Sequence, residues 1–202
     1  MFTGLISTTA ALVALEKKNR PVLTVRVALD KPLAVGDSVA VDGVCLTLIG
    51  REKDLLRFNL AAPTLKLANF QDRPKGSLLN IELPLTLSDP LGGHLVSGHI
   101  DGTVRLRSIN KSDGNSRFAF TFREREWRKF IVARGSVALN GVSLTVAEVS
   151  ASWFAVELIP QTLATTNLKL LRVGERVNLE LDFIGKYLYN FFKSNKGRSG
   201  VI

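Results

Sequence analysis

The sequence is short of the residues that staple or metallate small proteins: cysteine occurs once, at Cys45, and histidine twice, at His94 and His99, in 202 residues. A single thiol cannot close an internal disulfide, and one cysteine with two histidines makes no zinc set without carboxylates, so no metal ligand is expected. Long apolar runs are missing too. No stretch approaches the roughly 18 consecutive apolar residues of a membrane span, and Met1-Phe2-Thr3-Gly4 has neither a basic n-region nor a cleavage site. The expectation is a cytoplasmic protein without a membrane partner. Cations exceed anions, 27 Lys and Arg against 18 Asp and Glu, but they are scattered. The denser groups are 123–129, interleaved with Glu124 and Glu126, and Lys193, Lys196 and Arg198 near the end. No face interleaves aromatic and basic residues as a single-strand nucleic-acid platform would. A solvated surface with no nucleic-acid partner is the better reading.

What the chain does have is repetition. Residues 38–47, SVAVDGVCLT, match 136–145, SVALNGVSLT, at an offset of 98, with seven of ten positions identical. The same offset pairs Gly4 with Gly102, Thr64-Leu65 with Thr162-Leu163, Asn69 with Asn167, Gly76 with Gly174, Asn80 with Asn178 and Glu82 with Glu180. Two copies of one domain follow. They are expected over 1–87 and 99–185, joined by 88–98 and followed by a helix and basic tail over 186–202.

Short β-branched stretches such as Val22 to Val27 and Val39 to Val41, punctuated by Gly, Pro, Asn and Asp, make the fold class all-β. Copies of this size suit a sandwich or a small barrel, which the pattern does not separate. Helical spacing is confined to 123–132 and 184–193. In the second, Tyr187, Tyr189, Phe191 and Phe192 follow the last strand and suit either another subunit or a strap across the chain's own second copy.

Taken together, the opening MFTGL, the paired GDSVAVDGVCLTL and RGSVALNGVSLTV, the linker GGHLVSGHIDG and the IPQTL segment resemble the riboflavin synthase family along nearly the whole chain. The resemblance implies two tandem six-stranded antiparallel Greek-key barrels, a C-terminal helix and a homotrimer assembled through it. It also implies a reaction, dismutation of two molecules of 6,7-dimethyl-8-ribityllumazine to riboflavin and 5-amino-6-(D-ribitylamino)uracil, with no metal or organic cofactor. One lumazine is expected per barrel, and the catalytic pocket is expected between neighbouring subunits.

Residues shared by the copies are candidates for holding the ligand, and residues that differ are candidates for acting on it. Gly43 and Gly141, Thr47 and Thr145, and Thr64 and Thr162 form the shared framework, with hydroxyls suited to the polar edge of a heterocycle or a ribityl chain. The resemblance adds Gly93, Ile100 and Ile159 to the binding set, and Ser38 as a hydroxyl near the nucleophile. At the asymmetric position Cys45 faces Ser143, and a thiol is more acidic and more nucleophilic than a hydroxyl. Met1-Phe2 is read as facing His99-Ile100, with Phe2 stacking on a flat ring. His94 has no counterpart, and either imidazole suits proton transfer near neutrality.

Some positions depart from the family's usual residues: Pro63, Ala68, Arg134 and Tyr189. Pro63 is expected to reshape the loop that carries Thr64, and with Ala68 to weaken ligand binding in the first copy. The competing reading is a non-catalytic lumazine- or flavin-binding antenna protein on the same pair of barrels. Retention of Cys45, His94 and His99 favours the enzyme.

Overall fold

The computed structural model describes residues 1–17, 20–29, 31–112 and 114–195, so Lys196, Arg198 and the rest of the expected basic tail lie outside the described residues. The first copy forms β1 (Thr8–Glu16), β2 (Val22–Arg26), β3 (Ser38–Val41), β4 (Val44–Glu52), β5 (Leu55–Asn59), the short helix α1 (Ala62–Leu67) and β6 (Leu78–Glu82). These strands close an antiparallel barrel in the order β1-β2-β5-β4-β3-β6. The second copy, with β7 (Gly102–Ser112), β8 (Asn115–Thr121), β9 (Ser136–Leu139), β10 (Val142–Val149), β11 (Trp153–Leu158), α2 (Pro160–Thr165) and β12 (Arg176–Leu181), closes in the same cyclic order. Closure leaves no free sheet edge and decides the matter that pattern left open, in favour of two barrels. Each has its own apolar core, around Phe58 and Phe70 in the first and Phe120 and Phe154 in the second. Among the described residues, no helix is long and apolar enough to cross a membrane.

Local chemistry explains the hairpins. Asp42-Gly43 and Asn140-Gly141 each place two consecutive residues at positive φ (46° and 77°, 45° and 80°), the requirement of the two-residue turn that joins β3 to β4 and β9 to β10. The two turns meet at the seam between the barrels. A Cβ on Gly43 would lie 2.5 Å from the Gly141 nitrogen, and one on Gly141 would lie 2.8 Å from the Gly43 nitrogen. The glycines therefore serve barrel-to-barrel contact, and both are buried against each other.

The duplication is not in one register throughout. From β3 onward the offset of 98 holds, with α1 and α2 at 62–67 and 160–165. In the first strand of each copy, β1 and β7, it is 94. Leu12 donates its N–H to Ser77 O and accepts from Gly76 N, and Leu106 does the same with Glu175 O and Gly174 N. The second copy takes up its four additional residues between β7 and β9, a stretch that includes the 3-10 turn Arg125–Lys129. Gly4 accordingly corresponds to Gly98 rather than Gly102, Phe2 to Val96, and Leu5 to His99. His94 remains without a counterpart.

The helix expected over 123–132 is only that 3-10 turn, while the one expected over 184–193 is α3 (Phe183–Asn195). One aromatic of α3 rests on the second barrel: the Tyr189 ring meets Phe130 edge-on at 5.5 Å and lies under Lys129 Nζ at 4.0 Å. Tyr187, Phe191 and Phe192 remain exposed. Pro63 does not reshape its loop. It stands in the first turn of α1, as Pro160 does in α2, where no intrahelical N–H is needed. Ala68 is buried, and the hydroxyl that Thr166 has in its place turns back to Thr162 O at 2.7 Å.

Candidate functional site

Two related seats lie where the barrels join. Along β4, buried Val44, Leu46 and Leu48 alternate with Cys45 and Thr47, so the latter two face outward from the barrel. In register with them on β3 are Ala40, opposite Cys45, and Ser38, opposite Thr47. The second copy repeats this with Ser143 and Thr145 opposite Ala138 and Ser136. Three of the expected residues, Ser38, Cys45 and Thr47, thus share one outward face, and Ser143 and Thr145 share the other, where His94 and Gly93 join them.

Each seat is completed by a segment from the other copy. Cys45 N donates to Gly98 O at 2.9 Å, and Ser143 N donates to Gly4 O at 2.9 Å. Gly98 and Gly4 have φ of +81° and +77°, and a Cβ on either would lie 2.5 Å from the Cβ of Cys45 or Ser143. Only glycine lets the backbone approach so closely. The segments are anchored on their own barrels by buried carboxylates: Glu82 Oε1 accepts from Thr3 N (2.6 Å) and Thr3 Oγ1 (2.8 Å), and Oε2 from Gly4 N (3.0 Å). Glu180 repeats the arrangement with Ser97 N (2.6 Å), Ser97 Oγ (2.7 Å) and Gly98 N (2.9 Å). Burial pushes the Glu82 carboxyl above its ordinary range, and the bonds from Thr3 and Gly4 pull it back. Ile6 packs on the second barrel's core and Ile100 on the first's, so the exchange of segments is reciprocal.

The seats differ in what the segments bring. His94 N donates to Thr3 O at 3.1 Å, and its Nδ1 lies 2.7 Å from Ser143 Oγ. Burial lowers its pKa, against the raising influence of Asp182 and Glu180, which favours a neutral ring. Gly93 allows this approach, since a Cβ there would stand 2.1 Å from Thr3 O and 3.2 Å from Ser143 Oγ. In the other seat Cys45 is a half-buried free thiol, and among the described residues no hydrogen bond ties it to an imidazole. His99, which follows the Gly98 that meets Cys45, is exposed, and with Met1, Ser97, Phe183, Lys186, Tyr187 and Asn190 it lines a concavity of about 460 Å³. A larger one, about 560 Å³ and bordered by Arg73, Arg105, Arg172 and Arg176, holds none of the expected residues.

Phe2 does not reach either seat. It is fully buried with Ala40, Val96 and Ala138 in a small apolar cluster between the barrels, bridged to Val96, and within this chain no face of its ring is open for the stacking expected of it. Thr64 and Thr162 are half-buried on α1 and α2, and among the described residues no hydrogen bond ties them to Cys45, Ser143 or a histidine. Ile159, which caps α2, is 56% exposed. Glu82 and Glu180 were recognisable in the sequence only as a repeated pair, without a role. Among the described residues no three metal-binding side chains cluster.

The lumazine binding domain family matches residues 3–84 and 97–182. These limits show both registers, 94 at the start and 98 at the end. Riboflavin synthase from Bacillus subtilis is 33% identical over 202 residues, covering 98% of this chain and 94% of the relative. That from Escherichia coli is 37% identical over 185 residues, covering 90% and 87%. Among solved structures, LumP complexed with riboflavin superposes with a TM-score of 0.83 at 21% identity, over 90% of this chain and 99% of that one. LumP complexed with 6,7-dimethyl-8-(1'-D-ribityl) lumazine gives 0.81 at 20%. At these identities the LumP likeness establishes the fold alone.

Proposed function

Because the chain belongs to the riboflavin synthase family, built on a duplicated lumazine binding domain, we propose that it is a transferase that dismutates two molecules of 6,7-dimethyl-8-ribityllumazine into riboflavin and 5-amino-6-(D-ribitylamino)uracil. A four-carbon unit passes from one molecule to the other. The two products contain between them all the atoms of two substrates, so no outside oxidant or reductant takes part, and no metal or organic cofactor is invoked.

The observation that carries this reading is the unlike pair at one position of a like frame: a free Cys45 thiol in one seat, and Ser143 held by His94 in the other. Identical substrates that play donor and acceptor need two binding frames that are similar and two reactive environments that are not. Cys45 and His99 act in the first, Cys45 as nucleophile or proton donor and His99 in proton transfer. His94 and Ser143 act in the second, the neutral imidazole taking protons from substrate carbon directly or through the hydroxyl. Ser38, Thr47, Thr64 and Ile100 line the first seat's binding surface, and Gly93, Thr145, Ile159 and Thr162 the second's. The exposed aromatic face of α3 joins copies of the chain into a homotrimer, and each pocket is completed between neighbours.

The LumP likeness favours one other reading, a binder that holds lumazine or flavin without reaction. Incubation of the purified protein with 6,7-dimethyl-8-ribityllumazine, without metal or added cofactor, separates the two. Riboflavin fluorescence growing as lumazine is consumed in a 1:2 ratio is expected; stable binding without riboflavin overturns the enzyme in favour of the binder.

A further inference from the structure

Six buried polar residues meet at the seam: Asp42, Asn69 and Asn80 from the first copy, and Asn140, Asn167 and Asn178 from the second. Their hydrogen bonds come in pairs related by the duplication. Asn69 N donates to Asn178 Oδ1 (2.8 Å) and Asn167 N to Asn80 Oδ1 (2.7 Å). Asn80 Nδ2 donates to Asn140 O and Asn178 Nδ2 to Asp42 O, both at 2.9 Å. Asn80 N donates to Asp42 Oδ1 (2.7 Å) and Asn178 N to Asn140 Oδ1 (2.9 Å). The amide nitrogens of Asn167 and Asn69 reach Asp42 Oδ1 (2.8 Å) and Asn140 Oδ1 (3.4 Å).

One link has no twin. Asn140 Nδ2 donates to Asn167 Oδ1 at 3.4 Å, and the duplication puts Asp42 Oδ2 and Asn69 Oδ1 in the corresponding places. Both are acceptors, and both are buried with no hydrogen-bond partner among the described residues. Asn69 cannot resolve this by turning its amide over, because its Nδ2 also donates to Arg176 O at 2.9 Å and the turn would set an oxygen against that carbonyl. A missing proton is the simplest repair, and of the two side chains only the carboxyl can carry one.

We propose that Asp42 binds a proton on Oδ2 in the folded protein and donates it to Asn69 Oδ1, so that a carboxylic acid fills in the first copy the place that the Asn140 amide fills in the second. Burial acts in the same direction, raising the Asp42 carboxyl to about 6, against the pull of Arg73 and of the bonds from Asn80 and Asn167. Arg73 is the charged group that acts on Asp42 from the elements packed around it. Its Nη1 lies 3.5 Å from Glu175 Oε2, while Nε and Nη2 are buried without partners. On β12, Arg176 is engaged by Asp72 and Thr103. The site is therefore a proton switch at the seam: acid with its bond to Asn69 at low pH, anion facing Arg73 at higher pH. Cys45 follows Asp42 by three residues and Ser143 follows Asn140 by three, so the two seats hang from the turns that this network holds together.

The sign follows from the raised value. A carboxyl whose folded pKa stands above the unfolded 3.8 contributes stability that is complete below 3.8 and is lost as pH rises through about 6. Two measurements test the proposal. In the unmodified protein, carboxyl ¹³C NMR should show Asp42 Cγ titrating well above the ordinary aspartate range; titration within or below that range overturns it. Thermal unfolding of Asp42→Asn, which supplies the amide donor, should lose the downward step of the unmodified protein over this interval and give the higher midpoint at neutral pH. A variant less stable than the unmodified protein at neutral pH overturns it. Should Asp42→Asn not fold, Asn140→Asp carries the test: it should add a second loss of stability on raising pH, and an unchanged profile counts against the proposal.

Discussion

The Cys45 seat and the Ser143 seat repeat the same backbone contacts and differ in chemistry. Each has a carboxylate-anchored segment, a glycine pressed on the outward strand residue, and a threonine two positions on. One holds a half-buried free thiol, the other a hydroxyl committed to a half-buried histidine. Duplication preserved the parts that build a seat, and divergence touched a few side chains, Cys45 against Ser143 and Leu5 against His99, together with His94, which has no counterpart in the first copy. A fold that supplies two similar seats needs only such small differences to treat two identical molecules differently.

The sharpest way to break the comparison is at the glycines. Gly98→Ala and Gly4→Ala each put a methyl 2.5 Å from the facing Cβ at a φ that L-residues rarely adopt. Each should cost about 2–4 kcal/mol in unfolding experiments, as overpacking and backbone strain together would. Equal stability losses confirm the shared frame; a loss at only one would show that the seats are built differently. The anchors come next. Glu180→Gln turns an amide against donors that now bond a carboxylate, and should lower stability by about 2 kcal/mol. Glu82→Gln should do the same in calorimetry, and divergence between the two would argue against equivalent anchoring.

A third comparison uses the titration of the histidines. His94 has a folded pKa lowered from 6.5 by burial, so the stability it contributes is present above 6.5 and is lost as pH falls through the lower folded value. NMR should find the His94 imidazole neutral below pH 6.5, and replacing His94 should remove that signal. The smallest effect belongs to Pro63. Pro63→Ala should change the unfolding midpoint by the equivalent of less than about 1 kcal/mol, because both residues suit a first helical turn. A larger change would restore the idea of a reshaped loop.

Much of the frame was legible from residue types with backbone consequences. Asp42-Gly43 and Asn140-Gly141 announced matching hairpins, and the 98-residue offset held from there to the end of each copy. The offset of 94 was not legible, because FTGLI and VSGHI share little beyond one glycine and one isoleucine, and Gly102 offered a false match four residues on. Cys45 and Ser143 could be found as an unlike pair, since a single difference stands out in a run of identities. Glu82 and Glu180 could not be assigned, because a glutamate in a strand reads as a solvated face until its donors are seen. The burial of Phe2 was not legible either, because position in the chain said nothing of the cluster with Val96 that encloses it.

The central claim, that like frames hold unlike chemistry, is tested most directly by measuring lumazine binding and turnover together in Cys45→Ser, the variant that makes the first seat resemble the second. Two ligands should still bind per chain with nearly unchanged affinity while turnover falls at least about tenfold, roughly 1.4 kcal/mol of transition-state stabilisation. Normal turnover in that variant would contradict the account and leave Cys45 as a packing residue.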